Sequence, residues 1–270
     1  MEFSRGLISS SGYDRPGFAG LYDDYRPRTP HVLVELLSRL AQTDRPPLVV
    51  DVGAGTGLST RVWEATAERV VGVEPNPAMR DEAERRTEEP NVEFVLGFGH
   101  ETGLPDGTAD IVTCSQSLHW MEPQPTFAEA ARVLRPGGIY AAYDYDLPPV
   151  VQPELDAAFD AYHARRRRAR EARRIERGAD RWPKSGHLER MRESGRFRFC
   201  REILLHSIEE GDADRVAGLA RSIGLPYADA SDDALENELR IDELEAVARR
   251  VLGDDTVPFL FGYRVRVGVR

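Results

Sequence analysis

The chain has 270 residues and a formal net charge of −10 at neutral pH, long enough for one large domain or a domain carrying a smaller cap. The acidic balance argues against a nucleic-acid surface, which needs a basic face to neutralise phosphates. Two cysteines, Cys114 and Cys200, are too few for a disulfide framework, and no stretch has the apolar length of a signal peptide or a membrane span. The expectation is a cytoplasmic protein, monomeric or homodimeric, whose partners are small molecules, with no nucleic acid and no membrane involved.

Residues 1–28 mix Gly, Ser, Pro and aromatics without periodicity and read as an irregular N-terminal arm. Tyr13, Phe18, Leu21, Tyr22 and Tyr25 give the arm something to bury, either as a lid over a ligand or as simple packing on the core. Thr29-Pro30 then supplies an N-cap and a first-turn proline for an amphipathic helix through Leu33, Leu36, Leu37 and Leu40. Leu48 to Val52 is a buried-strand pattern that runs into a glycine-rich turn and a following helix. Val70 to Val73 repeats the pattern and ends in Glu74, after which Asn76-Pro77 opens another helix.

Val92 to Leu96 and Ala109 to Cys114 supply two more strands, and Thr126 to Glu129 reads as a capping box for a helix that ends at Pro136-Gly137-Gly138. Strands alternating with helices demand an α/β fold, a parallel sheet with helices on both faces. In such a sheet ligands bind at the carboxyl ends of the strands.

Beyond Tyr145 the pattern turns helical, so residues 147–195 read as a cap inserted after the fifth strand. Its arginine run, Arg165 to Arg168 with Arg170, Arg173 and Arg174, is interleaved with Glu171 and Glu176. It reads first as a solvated helix face, with pairs such as Arg167 and Glu171 worth a few tenths of a kcal/mol, next as a patch for an acidic small molecule, and last as a nucleic-acid patch. Phe197 to Ile208 is a sixth strand, and Phe259, Phe261, Tyr263, Val265, Val267 and Val269 form a period-two strand whose other face carries Leu260, Arg264, Arg266 and Arg270. The expected organisation is an arm at 1–28, a nucleotide-binding core at 29–146, a helical cap at 147–195 and the rest of the core at 196–270.

The turn after the first strand, Gly53-Ala54-Gly55-Thr56-Gly57, has the spacing G-x-G-x-G. A dinucleotide fingerprint would need glycine at Leu58. Asp51, at the strand end, would repel a pyrophosphate but can meet an ammonium directly or through water. Glu74 lies about twenty residues further on, where an acid accepts the hydroxyls of a ribose and disfavours a 2′-phosphate. An adenosine without phosphates is implied.

These residues resemble the class I S-adenosylmethionine-dependent methyltransferases. Asp51 to Gly57 is similar to their first motif, and Glu74-Pro75-Asn76-Pro77-Ala78-Met79 to the acidic second one. Gly97 to Pro105 resembles the adenine-side loop of the small-molecule branch, Asp110 to Trp120 the fourth strand and its exit, and Arg132 to Gly138 the turn before the fifth strand. The resemblance covers residues 20–145 and implies a Rossmann-like, seven-stranded, mostly parallel sheet with an antiparallel last strand. It implies S-adenosyl-L-methionine as cofactor and S-adenosyl-L-homocysteine as product; His31, His163, His187 and His206 form no ligand-spaced cluster, so no metal is expected. Asp51, Gly53, Ala54, Gly55, Thr56 and Gly57 would line the methionine side, Glu74 with Pro75 the ribose, and Met79, Gly99 and His100 the adenine. His100 departs from the acid found there in many relatives. Ser115 and Gln116 would lie near the amino-acid end, and Tyr25 or Arg26, in a Tyr-Arg-Pro element similar to one in related enzymes, would meet the methionine carboxylate.

Because such a cofactor brings its own electrophile, the protein must mainly bind, align and dry the site. A carboxylate acceptor is already ionised at neutral pH, whereas a phenol or carbon acid gains from a base. His119 and Asp144 are the candidates for that role, and Tyr22, His119, Trp120, Tyr143 and Tyr145 are the candidates for holding the acceptor. The His119-Trp120 pair is similar to an element of trans-aconitate methyltransferases, which implies a carboxylate oxygen as acceptor. O-, N- or C-methylation of a natural-product phenol, amine or carbon acid stays open, as does a module that binds the cofactor without turnover. Cys114 sits inside an apolar strand and reads as core.

Overall fold

In the computed structural model, residues 13, 16–172, 182–223 and 232–270 are described. Residues 1–12 of the arm, and Arg173, Arg174 and Glu176 of the arginine-rich segment, lie outside the described residues. Seven strands, β1 (Leu48–Val52), β2 (Arg69–Val73), β3 (Val92–Val95), β4 (Ala109–Ser115), β5 (Leu134–Tyr145), β6 (Phe199–Gly211) and β7 (Val257–Val269), form one sheet in the order β3-β2-β1-β4-β5-β7-β6. β1 pairs parallel with β2 and β4, as do β2 with β3 and β4 with β5. β7 runs antiparallel to β5, with Tyr143 opposite Val265. Every residue of β1 is buried, as expected of a strand covered on both faces.

By contact clustering the chain falls into two units. The first comprises Arg28–Tyr145, Asp180–Leu205 and Tyr263–Arg270. It holds α2 (His31–Leu40), α3 (Pro77–Arg85), α4 (Pro123–Val133) and α6 (His187–Glu193). Its core joins Val50, Val52 and Val112 to Phe127, Tyr140 and Phe197, with Phe197 stacked on Tyr140 at 5.2 Å and edge-on to Phe127 at 6.1 Å.

The second unit comprises Met1–Pro27, Asp146–Ala179 and His206–Gly262, with α1 (Phe18–Tyr25), α5 (Pro153–Ala172), α7 (Ala213–Ile223), α8 (Asp232–Leu239) and α9 (Ile241–Leu252). α1 packs on α7 where the latter has Gly218: a Cβ there would lie 2.2 Å from the Tyr25 ring. Tyr162 of α5 donates to the Ala220 carbonyl at 2.7 Å. Two members of the arginine run end on helix C-termini, Arg165 on the Leu239 carbonyl at 2.8 Å and Arg166 on the Ile223 carbonyl at 3.3 Å. Carbonyls at a helix end lack intrahelical donors and carry the negative end of the dipole, so a guanidinium suits them.

Four local expectations are corrected. No α-helix follows the glycine turn; Arg61–Trp63 is a single 3₁₀ turn, and the preceding Ser59 and Thr60 direct their hydroxyls inward to Asp51. Thr29 does not cap α2; its hydroxyl pairs with that of Tyr143 at 3.1 Å. Thr126 does not open α4, which starts at Pro123; Glu129 instead accepts from the Thr102 N–H at 2.9 Å and hydroxyl at 2.7 Å. Asn76 does cap α3, its Oδ1 accepting from the N–H of Ala78 at 3.0 Å and of Met79 at 3.4 Å. Pro136-Gly137-Gly138 lies within β5, where the register on β4 shifts between Ala109 and Ile111.

Gly218→Ala is expected to destabilise the second unit by about 1–3 kcal/mol through overlap with Tyr25, read as a lower urea midpoint of the helical signal.

Candidate active site

β1 ends at Val52, and the chain turns through Gly53, Gly55 and Gly57 with φ of 73°, 58° and 84°, angles that favour glycine. The turn is fastened to the end of β2, the N–H groups of Gly53 and Ala54 both donating to the Val73 carbonyl at 2.8 and 3.2 Å. Immediately beyond β2, Glu74 accepts from the Gly55 N–H at 2.8 Å through Oε2 and from the Asn76 N–H at 2.8 Å through Oε1. Met79, buried in the first turn of α3, places its methyl 3.5 Å from where a Gly55 Cβ would stand, the nearest atom to that point. The glycine turn, Glu74 and Met79 are therefore brought together at the carboxyl ends of β1 and β2.

Asp51 sits beneath this turn, fully buried. Its Oδ2 accepts from Ser59 at 2.6 Å and Thr60 at 2.8 Å, and its Oδ1 accepts from Thr113 at 2.7 Å. Burial raises its pKa while the three hydroxyls pull it down. Its lone pairs thus hold the turn to β4. Burial likewise raises the Glu74 carboxyl to about 7, against the N–H groups of Asn76 and Gly55, with the charge of Asp51 adding a small push upward.

On the far side, Phe98 and Glu101 exchange backbone bonds across a tight loop. The exposed His100 ring stacks on Phe98 at 5.7 Å. Met121, which the sequence reading passed over, joins this loop to the turn: its Sδ lies 2.6 Å from a Cβ built on Gly99 and its Cε 2.8 Å from one built on Gly53. Ser117 was also missed. Its hydroxyl donates to the Val52 carbonyl at 2.7 Å and its Cβ blocks any side chain at Gly53. No periodicity marks either residue, since both lie in an irregular loop.

At the ends of β4 and β5, Ser115 pairs with Tyr143 in register, and Gln116 takes a left-handed φ of 50°. Leu118–Trp120 is a 3₁₀ turn in which the half-buried His119 and Trp120 rings lie 5.4 Å apart. Tyr143 and Tyr145 are buried, the former bonded to Thr29 and the latter edge-on to Tyr263 at 5.9 Å. Asp144, also buried, accepts from Lys184 at 2.8 Å through Oδ1 and from Arg266 at 2.6 Å through Oδ2. Arg266, expected on the polar face of β7, is only 2 % exposed and also donates to Glu202 at 2.8 Å. Two carboxylates make that burial tolerable. Cys114 is buried, accepts from the Tyr140 hydroxyl at 3.4 Å and has its thiol pushed up to about 12 by burial, as suits a core residue.

Tyr22, Tyr25 and Arg26 belong to the second unit. There the Arg26 guanidinium lies 4.8 Å over the Tyr22 ring and donates to the Ser222 hydroxyl at 2.9 Å and carbonyl at 2.8 Å. Among the described residues, no group of three or more His, Cys, Asp or Glu side chains is placed to hold a metal ion, and no helix is long and apolar enough to cross a membrane.

Gly53→Ala is expected to cost more stability than Gly55→Ala. Both carry the left-handed penalty of about 1–2 kcal/mol, but only the former drives a methyl against Ser117 and Met121. Chemical denaturation of the two variants checks the order.

A family model described as a methyltransferase domain matches residues 50–142. An uncharacterized methyltransferase from Mycobacterium tuberculosis is 39% identical over 120 residues, 44% of this chain and 46% of that protein. Erythromycin 3″-O-methyltransferase from Saccharopolyspora erythraea is 33% identical over 168 residues, 56% of this chain and 53% of that one. The chain thus spans about half the length of these curated relatives. A proposed type II methyltransferase from Anaeromyxobacter dehalogenans superposes with a TM-score of 0.65 at 25% identity, over 91% of this chain and 98% of that one. Residues 50–142 are thus similar to a methyltransferase domain.

Proposed function

We propose that the chain transfers a methyl group from S-adenosylmethionine to a small-molecule acceptor, with a carboxylate oxygen as the favoured target. The observation that carries the reading is Glu74, a buried carboxylate tied to the N–H of Gly55. Gly55 itself has nothing nearer its open face than the Met79 methyl at 3.5 Å. A carboxylate there suits the two hydroxyls of an unphosphorylated ribose, and the thioether beside it suits the face of an adenine. When bound, the cofactor supplies a methyl already activated on a positively charged sulfur.

The chain's own residues bind, align and exclude water. Asp51 fixes the turn from below through Ser59, Thr60 and Thr113. His119 and Trp120, in the turn after β4, supply the polar and aromatic groups that orient an acceptor. Holding reactants in line at about 3 Å is worth roughly 7–11 kcal/mol of barrier, so an ionised carboxylate acceptor needs no further base. Asp144, each oxygen bonded to a cation, acts as an orienting acid through Lys184.

The likeness to a 3″-O-methyltransferase favours a second reading, a hydroxyl acceptor on a natural product, for which the imidazole of His119 is the base. Incubation with methyl-labelled S-adenosylmethionine and a metabolite pool, followed by mild alkali, separates the two. Label released as methanol marks a methyl ester, stable label marks an ether, amine or carbon product, and binding without transfer leaves a non-catalytic cofactor-binding module.

Glu74→Ala is expected to weaken S-adenosylmethionine binding by about 1–3 kcal/mol, the cost of leaving the ribose hydroxyls and the Gly55 N–H unanswered; calorimetry reads it, and unchanged affinity removes the ribose assignment. The pH dependence has a definite sign. With its pKa raised from 4.5 to about 7, Glu74 contributes stability to the unliganded fold that is complete below about 4.5 and lost as pH rises through about 7. Two hydroxyl donors need the ionised form, so affinity for the cofactor is expected to rise between about pH 6 and about pH 8. In Glu74→Gln this rise disappears.

A further inference from the structure

We propose that Lys184, acting through Gln116, is a positioning residue that fixes the His119–Trp120 turn for the acceptor; this rests on the functional reading above. Gln116 is the first residue after β4 and holds a left-handed φ of 50° without being glycine. Such a conformation persists only where its surroundings determine it several times over. Here they do: its N–H donates to the Tyr143 carbonyl at 2.9 Å, its Nε2 donates to the Tyr145 carbonyl at 3.0 Å, and its Oε1 accepts from the Lys184 ammonium. Two of these bonds bind the turn to β5, and the third binds it to Lys184–Gly186, a 3₁₀ turn distant in sequence.

Lys184 is itself anchored. Its ammonium donates to Asp144 at 2.8 Å; Asp144 accepts from Arg266 at 2.6 Å, and Arg266 donates to Glu202 at 2.8 Å. The charges alternate along this chain, Glu202, Arg266, Asp144, Lys184, and its inner members are buried in the sheet while the Lys184 side chain is 39% exposed. The same segment touches the turn at a second point, where the Trp182 N–H donates to the His119 carbonyl at 2.9 Å. The ion chain thus ends on the residue that aims the turn. Because a displacement of 1 Å at a reacting centre can cost about a hundredfold in rate, a rigid mount beneath His119 has a direct bearing on methyl transfer.

The test uses the full chain in three forms: wild type, Lys184→Met, which keeps the stem and loses the charge, and Lys184→Arg. A Trp182→Phe background keeps the backbone bond to His119 and leaves Trp120 as the partly exposed fluorophore. Lys184→Met is expected to raise amide exchange across residues 116–121 about tenfold and to increase acrylamide quenching of Trp120. Lys184→Arg is expected to restore both, with exchange in β1 unchanged and the Kd for S-adenosylhomocysteine within about twofold of wild type. Unchanged exchange in 116–121, or acceleration spread equally over β1 and β5, overturns the proposal. Gln116→Gly accepts the left-handed angle but loses both side-chain bonds, so it gives an independent reading: faster exchange supports the mount and unchanged exchange overturns it. Failure of the wild type to bind S-adenosylhomocysteine would remove the functional reading alone, since the exchange comparison still decides whether Lys184 holds the turn.

Discussion

A carboxylate cut off from water must have its lone pairs answered by the protein, and at Asp51 this condition shapes everything above it. Three hydroxyls converge on it, two from the exit of the glycine turn and one from β4. The turn is thereby tied to two neighbouring strands at once, and its N–H groups point to the end of β2, where Val73 and Glu74 receive them. Beyond Ser59 and Thr60 the chain goes straight into the short 3₁₀ turn Arg61–Trp63. The geometry of the glycine turn is in this sense tied to one buried carboxyl group.

Much of this was legible in the sequence because the signals are local. β1, β2 and β4 are short apolar runs bounded by acids and turn residues, and the G-x-G-x-G spacing imposes left-handed angles that only glycine meets freely. Asn76 was legible as a cap because its partners lie two and three residues on. Thr29, Thr126 and Glu129 each fit a local capping rule that none of them follows, Thr126 donating instead to the Glu122 carbonyl four residues back. Thr29 reaches across 114 residues to Tyr143, and Glu129 reaches across 27 to Thr102.

The turn proposed to face the acceptor was legible in part. His119 and Trp120 stand out as a pair, but the residues that hold their turn come from distant segments and from a strand whose alternation hid one of them. In β7 the period-two pattern puts Arg266 on the face opposite Phe259, Tyr263 and the valines. The face is covered there, and Asp144 and Glu202 supply the countercharges that let an arginine stay. A sequence carries the residue types for such a cluster without the pairing, since pairing is settled by strand order. The arginine run has the same lesson, as Arg165 and Arg166 serve helix ends within their own unit.

The position of Met121 constrains how this chain can vary. Its unbranched thioether fills the space of two missing side chains, one at Gly53 and one at Gly99, but only positions 99 and 121 can change together. Gly99 carries no left-handed angle, and a smaller residue at 121 opens room for a methyl there. Gly53 stays closed to that exchange, because its angle and Ser117 forbid a side chain whatever stands at 121. The effects of substitutions at 99 and 121 are therefore non-additive, while those at 53 are not rescued. A thioether with three rotatable bonds thus joins the two loops without a hydrogen bond, and the sequence freedom at Gly99 is set from the loop after β4.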